Sequence, residues 1–242
     1  FSDLPGLLKE DDLLLFNESR VSPRRVFLER TTGARVECLF LERRGPAWLV
    51  LIRGLNRLRP GEELKHGPSG HCFRFTGRQD TGGLLHTDPV DMEAFFEHHG
   101  ELALPPYLGR RASREDQQRY QTIFARRASS VAAPTAGLHF TADLLTTLQN
   151  RGISLAFLEL EIGYGTFAPL QIEQFEARRL HTEYYHISTD LLHSLRSERR
   201  RIAVGTTTLR ALESYVRSGH AGPGRYSTGL FLYPPDQVKS VA

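Results

Sequence analysis

Methionine, tryptophan, cysteine and lysine are nearly missing from this chain. Met92 and Trp48 stand alone, and the only cysteines are Cys38 and Cys72. Two distant cysteines exclude a disulfide-stapled fold, and no Cys-x-x-Cys or His-x-x-x-His spacing offers a metal site. Both thiols are expected reduced and within strands, with the cytoplasm as the compartment. No apolar run approaches the ~20 residues that cross a bilayer, and no secretory signal is visible. A membrane partner is therefore not expected. The chain opens on Phe1 rather than Met, so a native start further upstream is expected.

What is present is ordinary in bulk and unusual in detail. The 242 residues are 40% hydrophobic and 24% charged, enough for a proper core in one or two domains. Net charge is only +3, yet 28 of 31 basic residues are arginine. Arginine suits bidentate phosphate contacts, although genome composition also favours it. The stretch "GRRASREDQQRYQTIFARR" at 109–127 holds six arginines against Glu115 and Asp116. It reads as a solvated helix or as a nucleic-acid patch.

Texture divides the chain. "FSDLPGLLKEDDLLLFNESR" gives a short amphipathic turn and then a buried strand at Leu13–Phe16. From 21 to 87, short alternating strands are separated by turn signals at Thr32-Gly33, Gly45-Pro46, Pro60-Gly61 and Gly67–Gly70. Such spacing predicts a small antiparallel barrel or sandwich. After Asp88, helices and strands alternate. Helices are expected in "DMEAFFEHHG", "DQQRYQTIFA", 142–150, "TDLLHSLRS" and "TTLRALESYVRSG", and strands in "ISLAFLELEI", "EYYHIS", "RIAVG" and "GLFLYPP". "LPPYL" is an extended connector, because Pro105 and Pro106 disfavour helix. The expected fold is an α/β body with a mainly parallel or mixed sheet and covering helices, interrupted by an inserted small antiparallel β-barrel. The body would comprise 1–20 and 88–242, and the barrel 21–87.

Four constellations could carry chemistry. "SSVAAPTAGLHFTADLL" at 129–145 runs small residues through Pro134, Thr135 and Gly137 to His139 and Phe140 just before the cap Thr141. It reads as a close-packed loop or as one wall of a substrate pocket. "IGYGTFA" at 162–168 has a dinucleotide-loop outline, but Pro169 spoils the helix that should follow. A tight loop beside a ligand fits better, with a structural bulge as the alternative. In "HTEYYHIS", strict alternation would put His181, Glu183 and Tyr185 on one strand face, either as an oriented acid–base pair or as a polar outer surface. In "RRIAVGTTTLRALES", Gly205, Thr206 and Thr207 open a helix whose unpaired N–H groups could bind an anion, with Arg210 one turn inside.

Together "LLLFNESRVSPRRV", "GHCFRF", "LPPYLGR", "RYQTIFARRASSVAAPTAGLHFT", "GYGTF", "RLHTEYY" and "RIAVGTTTLRALES" resemble, over essentially the whole chain, the S-adenosylmethionine:tRNA ribosyltransferase-isomerase family of queuosine biosynthesis. The resemblance implies an α/β body with an inserted barrel. It implies transfer and isomerisation of the ribosyl part of S-adenosylmethionine onto the aminomethyl group of 7-aminomethyl-7-deazaguanine (preQ1) at the tRNA wobble position. Epoxyqueuosine forms, and adenine and methionine leave. S-adenosylmethionine is then a co-substrate, with no tightly bound cofactor and no metal, and tRNA is the macromolecular partner of a monomer.

By that resemblance, Thr135, Gly137 and His139 line the pocket, with His139 a proton-transfer candidate. Gly163, Gly165 and Thr166 contact adenosine or the deazaguanine. His181 and Glu183 form a second acid–base pair. Thr206, Thr207 and Arg210 hold the methionine carboxylate or a tRNA phosphate. Arg20, Arg24, Arg110, Arg111, Arg126 and Arg127 meet the tRNA backbone.

The chain departs from the family pattern in two places. The family strand reads "LHVGxGTF" where this chain has "LEIGYGTF", so Glu161 stands in the place of a histidine and is the candidate substitute for its proton transfer. Family chains also begin before Phe1 and continue past "VKSVA" into a segment around "TNFHLP", so a fragment is expected. The alternative is a catalytically reduced homologue that binds tRNA or S-adenosylmethionine without turnover.

Overall fold

The computed structural model describes residues 1–79, 82–88, 90–105, 108–163, 165 and 170–242. The chain forms two compact units, one of Phe1–Val21 with Ser113–Ala242 and one of Ser22–Ala112.

The first unit is built on strand β1 (Leu13–Asn17), whose sequence LLLFN is buried at every position. A strand with no polar alternation needs cover on both faces, which parallel sheets provide. β1 lies between β12 (Arg201–Ala203) and β10 (Ser154–Glu161), parallel to both. Leu13 and Leu15 enter one core, with Ala156, Leu158 and Leu160 of β10. Leu14 and Phe16 enter the other, with Leu155, Phe157, Ile202 and Val204. Each fully buried side chain of this size contributes about 1.5–3 kcal/mol.

Helices α6 (Thr189–Leu195) and α7 (Thr206–Arg217) cover the first core through Leu191, Ala211, Leu212 and Tyr215. Helix α4 (Ala142–Asn150) covers the second through Leu144, Leu145 and Leu148. Thr141 caps α4 by accepting from the Leu144 amide at 3.2 Å, and Gly152 at φ +80° follows its end. Beyond β10 the sheet turns antiparallel, through β11 (Arg179–Ile187) and β13 (Gly224–Leu230). The sheet is thus mixed, in the order β12-β1-β10-β11-β13. A short parallel pair joins β2 (Ser19–Val21) to β9 (Arg127–Ser130).

Two elements differ from their sequence patterns. The expected helix at 116–125 is α3 (Arg114–Arg119) and ends before Tyr120. Tyr120 and Thr122 turn inward, and Phe124 packs on Phe16 and Phe157 at 4.9 and 5.6 Å, which a continuing helix would not allow. The last strand lies at 224–230 rather than 229–235. Tyr226 packs against Tyr185 and edge-on to Tyr215 there, and Thr228 opposes Glu183, fixing that register.

The second unit is a closed antiparallel barrel. Its strands are β3 (Arg25–Arg30), β4 (Arg35–Arg44), β5 (Ala47–Ile52), β6 (Glu63–Lys65), β7 (Cys72–Gln79) and β8 (Gly82–Thr87), in the order β3-β4-β5-β8-β7-β6. Alternation sends Val26, Leu28, Val36, Cys38, Phe40, Phe73 and Phe75 inside. Cys38 is a buried free thiol and Cys72 an exposed one. Helix α2 (Met92–His99) adds Met92, Phe95 and Phe96 to the same core, so this unit runs to Ala112 and not only to the last strand.

Arg24 corrects one expectation here. It is 7% exposed, pairs with Glu93 at 2.7 Å, donates to the Leu41 carbonyl and lies over the Trp48 and Phe96 rings. It holds the barrel together and is not available to an RNA backbone.

Candidate active site

Three segments of the first unit meet at the end of β10. Asn17, at the tip of β1, bonds both backbone groups of Leu160 through its side chain. The buried Ser130 hydroxyl donates to the Leu160 carbonyl and accepts from the Ile162 amide at 2.9 Å, while the Val131 amide donates to the Ile162 carbonyl. These bonds tie the 130–139 segment to the start of the glycine loop. The Gly163 amide then donates to Glu183 Oε1 at 3.1 Å.

Glu183 is 5% exposed and accepts from Arg210 Nη1 at 2.5 Å. Arg210, whose side chain is 13% exposed, also donates from Nε to the Leu230 carbonyl at 3.1 Å. A carboxylate this buried is stable only when paired, and α7 brings it the cation. The second terminal nitrogen of Arg210 is buried without a hydrogen-bond partner among the described residues.

The helix start closes the ring of contacts. Gly205 caps α7 at φ +88°, and a Cβ there would lie 3.0 Å from Ala136 of the 130–139 segment. Thr206 and Thr207 occupy the first turn, and no side chain caps it. Thr208, unremarked in the sequence pattern, is the buried one, and its hydroxyl donates to the Val204 carbonyl.

Residues Thr135–His139 form a 3-10 turn. Thr135 and His139 are exposed, and the His139 ring stacks on Phe1 at 4.4 Å. Gly137 faces inward instead, where a Cβ would lie 2.8 Å from both Phe124 and Thr122. It permits close packing beneath the turn rather than contact with a ligand.

The expected His181–Glu183 pair does not form. Pairing of β11 with β13 shifts register between Arg179 and Glu183, so strict alternation fails there. Glu183 faces inward to Arg210, whereas His181 is exposed and packs on Gly165. A Cβ on Gly165 would come 2.4 Å from His181 Cδ2. Gly165→Ala is expected to displace the imidazole and, on the expectation that His181 transfers a proton, to slow turnover about tenfold with an unchanged melting temperature. A comparison of kcat and thermal melts checks this; full activity in that variant would detach His181 from the chemistry. Thr166 lies outside the described residues.

Glu161 is not brought to this site. It opposes Tyr184 across the ladder, whereas Glu183 and Tyr185 face the other side of the sheet. There Arg225 donates to both Glu161 oxygens at 3.0 Å while stacking over Tyr184. The Glu161 hydrogen bond raises the Arg225 pKa further. Glu161 is thus engaged by Arg225 on the face opposite Glu183.

The remaining arginines are peripheral. Arg126 and Arg127 expose more than 70% of their side chains, beside Glu18 and Glu159, and β9 pairs with the strand of Arg20. Arg110 and Arg111 belong to the barrel unit, with Arg111 over Phe27 and near Glu101. Among the described residues, no group of three or more His, Cys, Asp or Glu is placed to hold a metal. Nor is any described helix long and apolar enough to cross a membrane.

The model of the family described as "Queuosine biosynthesis protein" matches residues 1–242. The chain belongs to that family. A relative in Geobacter metallireducens, named S-adenosylmethionine:tRNA ribosyltransferase-isomerase, is 40% identical over 100% of this chain and 73% of its own length. Proteins of the same name in Pelobacter propionicus (40% identical, 97% of this chain, 71% of the relative) and Synechococcus elongatus (39%, 97% and 68%) are also similar. The crystal structure of an S-adenosylmethionine tRNA ribosyltransferase from Thermotoga maritima aligns with 26% identity and a TM-score of 0.42 over 100% of this chain and 68% of that one. This queuosine-family chain thus spans about 70% of its relatives' length.

Proposed function

We propose that the protein is an S-adenosylmethionine:tRNA ribosyltransferase-isomerase that acts on preQ1 at the wobble position of tRNA. The ribosyl group of S-adenosylmethionine joins the aminomethyl nitrogen, epoxyqueuosine forms, and adenine and methionine depart. Membership of the queuosine family over residues 1–242 supports the reaction class. The observation that carries the site is the ring of contacts linking the 130–139 turn, the glycine loop and the start of α7 through Ser130, Gly205, Glu183 and Arg210.

The chemistry needs a base for the carbon beside the sulfonium, an acid for departing adenine, and exclusion of water from the opened ribose. His181, held against Gly165, is the base in this reading, and His139 is the acid. Glu183 and Arg210 are positioning residues. They fix the Gly163 amide and leave one buried guanidinium N–H as the donor for a ligand oxygen. The uncapped amides of Thr206 and Thr207 receive the methionine carboxylate. S-adenosylmethionine is consumed as a co-substrate, without a resident cofactor or metal. Arg20, Arg110, Arg111, Arg126 and Arg127 contact the tRNA backbone, and the chain works as a cytoplasmic monomer.

Ribose-labelled S-adenosylmethionine tests the reading. Incubated with the protein and a preQ1-bearing anticodon stem-loop, it should transfer its five ribose carbons to the RNA, read as a mass gain on the modified nucleoside. Saturable RNA binding without label transfer would instead identify a homologue that has lost turnover.

A further inference from the structure

Past Leu230, whose carbonyl receives Arg210, the chain places Phe231 and Tyr233 beside Phe175 of helix α5 (Ile172–Glu176). The Phe175 ring meets Phe231 at 6.0 Å and Tyr233 at 5.2 Å, both nearly edge-on, and Phe231 and Tyr233 lie 6.1 Å apart. The Arg178 guanidinium stands 5.3 Å from the Tyr233 centroid and is pinned by Asp236 at 3.1 Å. With Glu176, these residues line an open cavity of about 350 Å³. Phe175 is 48% exposed and Tyr233 39%. Two exposed aromatic rings contiguous with a half-buried third mark a binding surface more often than a packing accident.

Arg178 carries a second clue. It follows the C-cap Ala177 of α5 at φ +47°, a left-handed position that glycine normally fills. An arginine there accepts backbone strain and gains the placement of its guanidinium over Tyr233 and against Asp236. One guanidinium group, that of Arg178, therefore stands against the aromatic rings.

We infer that this aromatic cavity stacks an unpaired nucleobase of the RNA substrate, with Arg178 at its rim beside the adjoining phosphate. The inference rests on the proposed RNA substrate and adds where one of its bases is held. Aromatic faces with adjacent arginines recognise splayed-out bases of single-stranded RNA, and an anticodon loop supplies such bases. The location fits, since the Arg179–Leu230 pair ends the same two strands that carry Glu183 and Thr228.

The test uses the full chain and preQ1 stem-loops bearing 2-aminopurine beside the wobble base. Binding should quench the fluorophore. Phe175→Ala and Tyr233→Ala should abolish the quench and weaken RNA binding roughly tenfold, with the KM for S-adenosylmethionine unchanged. Arg178→Gly should weaken RNA binding similarly yet melt at or above the wild-type temperature, which separates the role from folding. Wild-type quench and affinity in all three variants would overturn the inference while leaving the enzyme reading intact. So would a raised KM for S-adenosylmethionine with intact RNA binding, which would assign the cavity to the co-substrate's adenine. Loss of self-association with RNA affinity intact would assign it to a second copy of the chain. A wild-type protein that does not bind the stem-loop would overturn the enzyme reading and the inference together.

Discussion

Replacing Arg210 by methionine is expected to remove about 3 kcal/mol of stability and to slow turnover on the order of 10²–10³-fold. The stability loss follows from Glu183, which would remain buried with its charge and without the Arg210 cation. For a chain of this size that loss lowers the melting temperature by roughly 6–12 °C. The rate loss follows from the Gly163 loop, which Glu183 holds beside His181 only while Glu183 is itself fixed.

The double variant Glu183→Leu/Arg210→Met separates the two effects. Replacing a buried ion pair by apolar side chains of similar volume costs little, so stability should return to within about 1 kcal/mol of wild type. Turnover should not return, because neither the anchor for Gly163 nor the spare guanidinium N–H is restored. Urea unfolding and adenine release on the four proteins of the cycle measure both. A double variant that regains activity would reduce the pair to a structural role.

The second large effect concerns acid. Glu213 on α7 has no exposed surface, and burial raises its pKa. Arg217 at 2.6 Å and the Lys239 and Ser240 amides at 2.9 Å outweigh burial and bring it to about 2. A folded-state pKa depressed from the usual 4.5 means that the unfolded chain takes up the proton first as pH falls. The contribution is therefore complete above the unfolded value and lost on descending through the folded one. It amounts to about 3 kcal/mol at pH 5 and above and to roughly half that near pH 3. Asp12 and Glu62, held low by Arg200 and Arg30, act in the same direction. The difference between wild type and Glu213→Gln isolates the one group. Chemical denaturation at pH 7, 5 and 3 should show that gap narrowing, and a constant gap would mean that Glu213 does not titrate in this range.

Much of the architecture is legible in sequence because it follows from burial alone. Five consecutive apolar or amide residues in β1 fit a strand covered on both faces, and the two-residue alternation of β3, β4 and β7 fits an antiparallel barrel or sandwich, of which the structure shows the barrel. Close approach of backbone is legible at Gly165, where a Cβ would meet His181, whereas at Gly205 the sequence marks a helix start and not the approach to Ala136. The site is not legible where partners come from different elements. Nothing local in Glu183 or Arg210 says that they meet, and nothing in Glu161 says that Arg225 claims it. The His181–Glu183 pairing failed because a register shift is a property of two strands, whereas alternation is read from one. Arg24 deceived for a related reason: a buried arginine and a phosphate-binding one look alike until Glu93 and Trp48 are seen around it. Asn17 and Ser130 left no motif at all, since a single buried hydroxyl or amide that ties one loop to another has no spacing rule.

Adenine release in a single turnover tests the central claim most directly. The protein, S-adenosylmethionine and an anticodon stem-loop bearing either preQ1 or guanine at the wobble position are mixed, and free adenine is separated by chromatography. Adenine at one equivalent per modified nucleoside with the preQ1 stem-loop, and none with guanine, is the predicted result. Adenine release that ignores the wobble base, or its absence with both RNAs while the preQ1 stem-loop binds, would contradict the account.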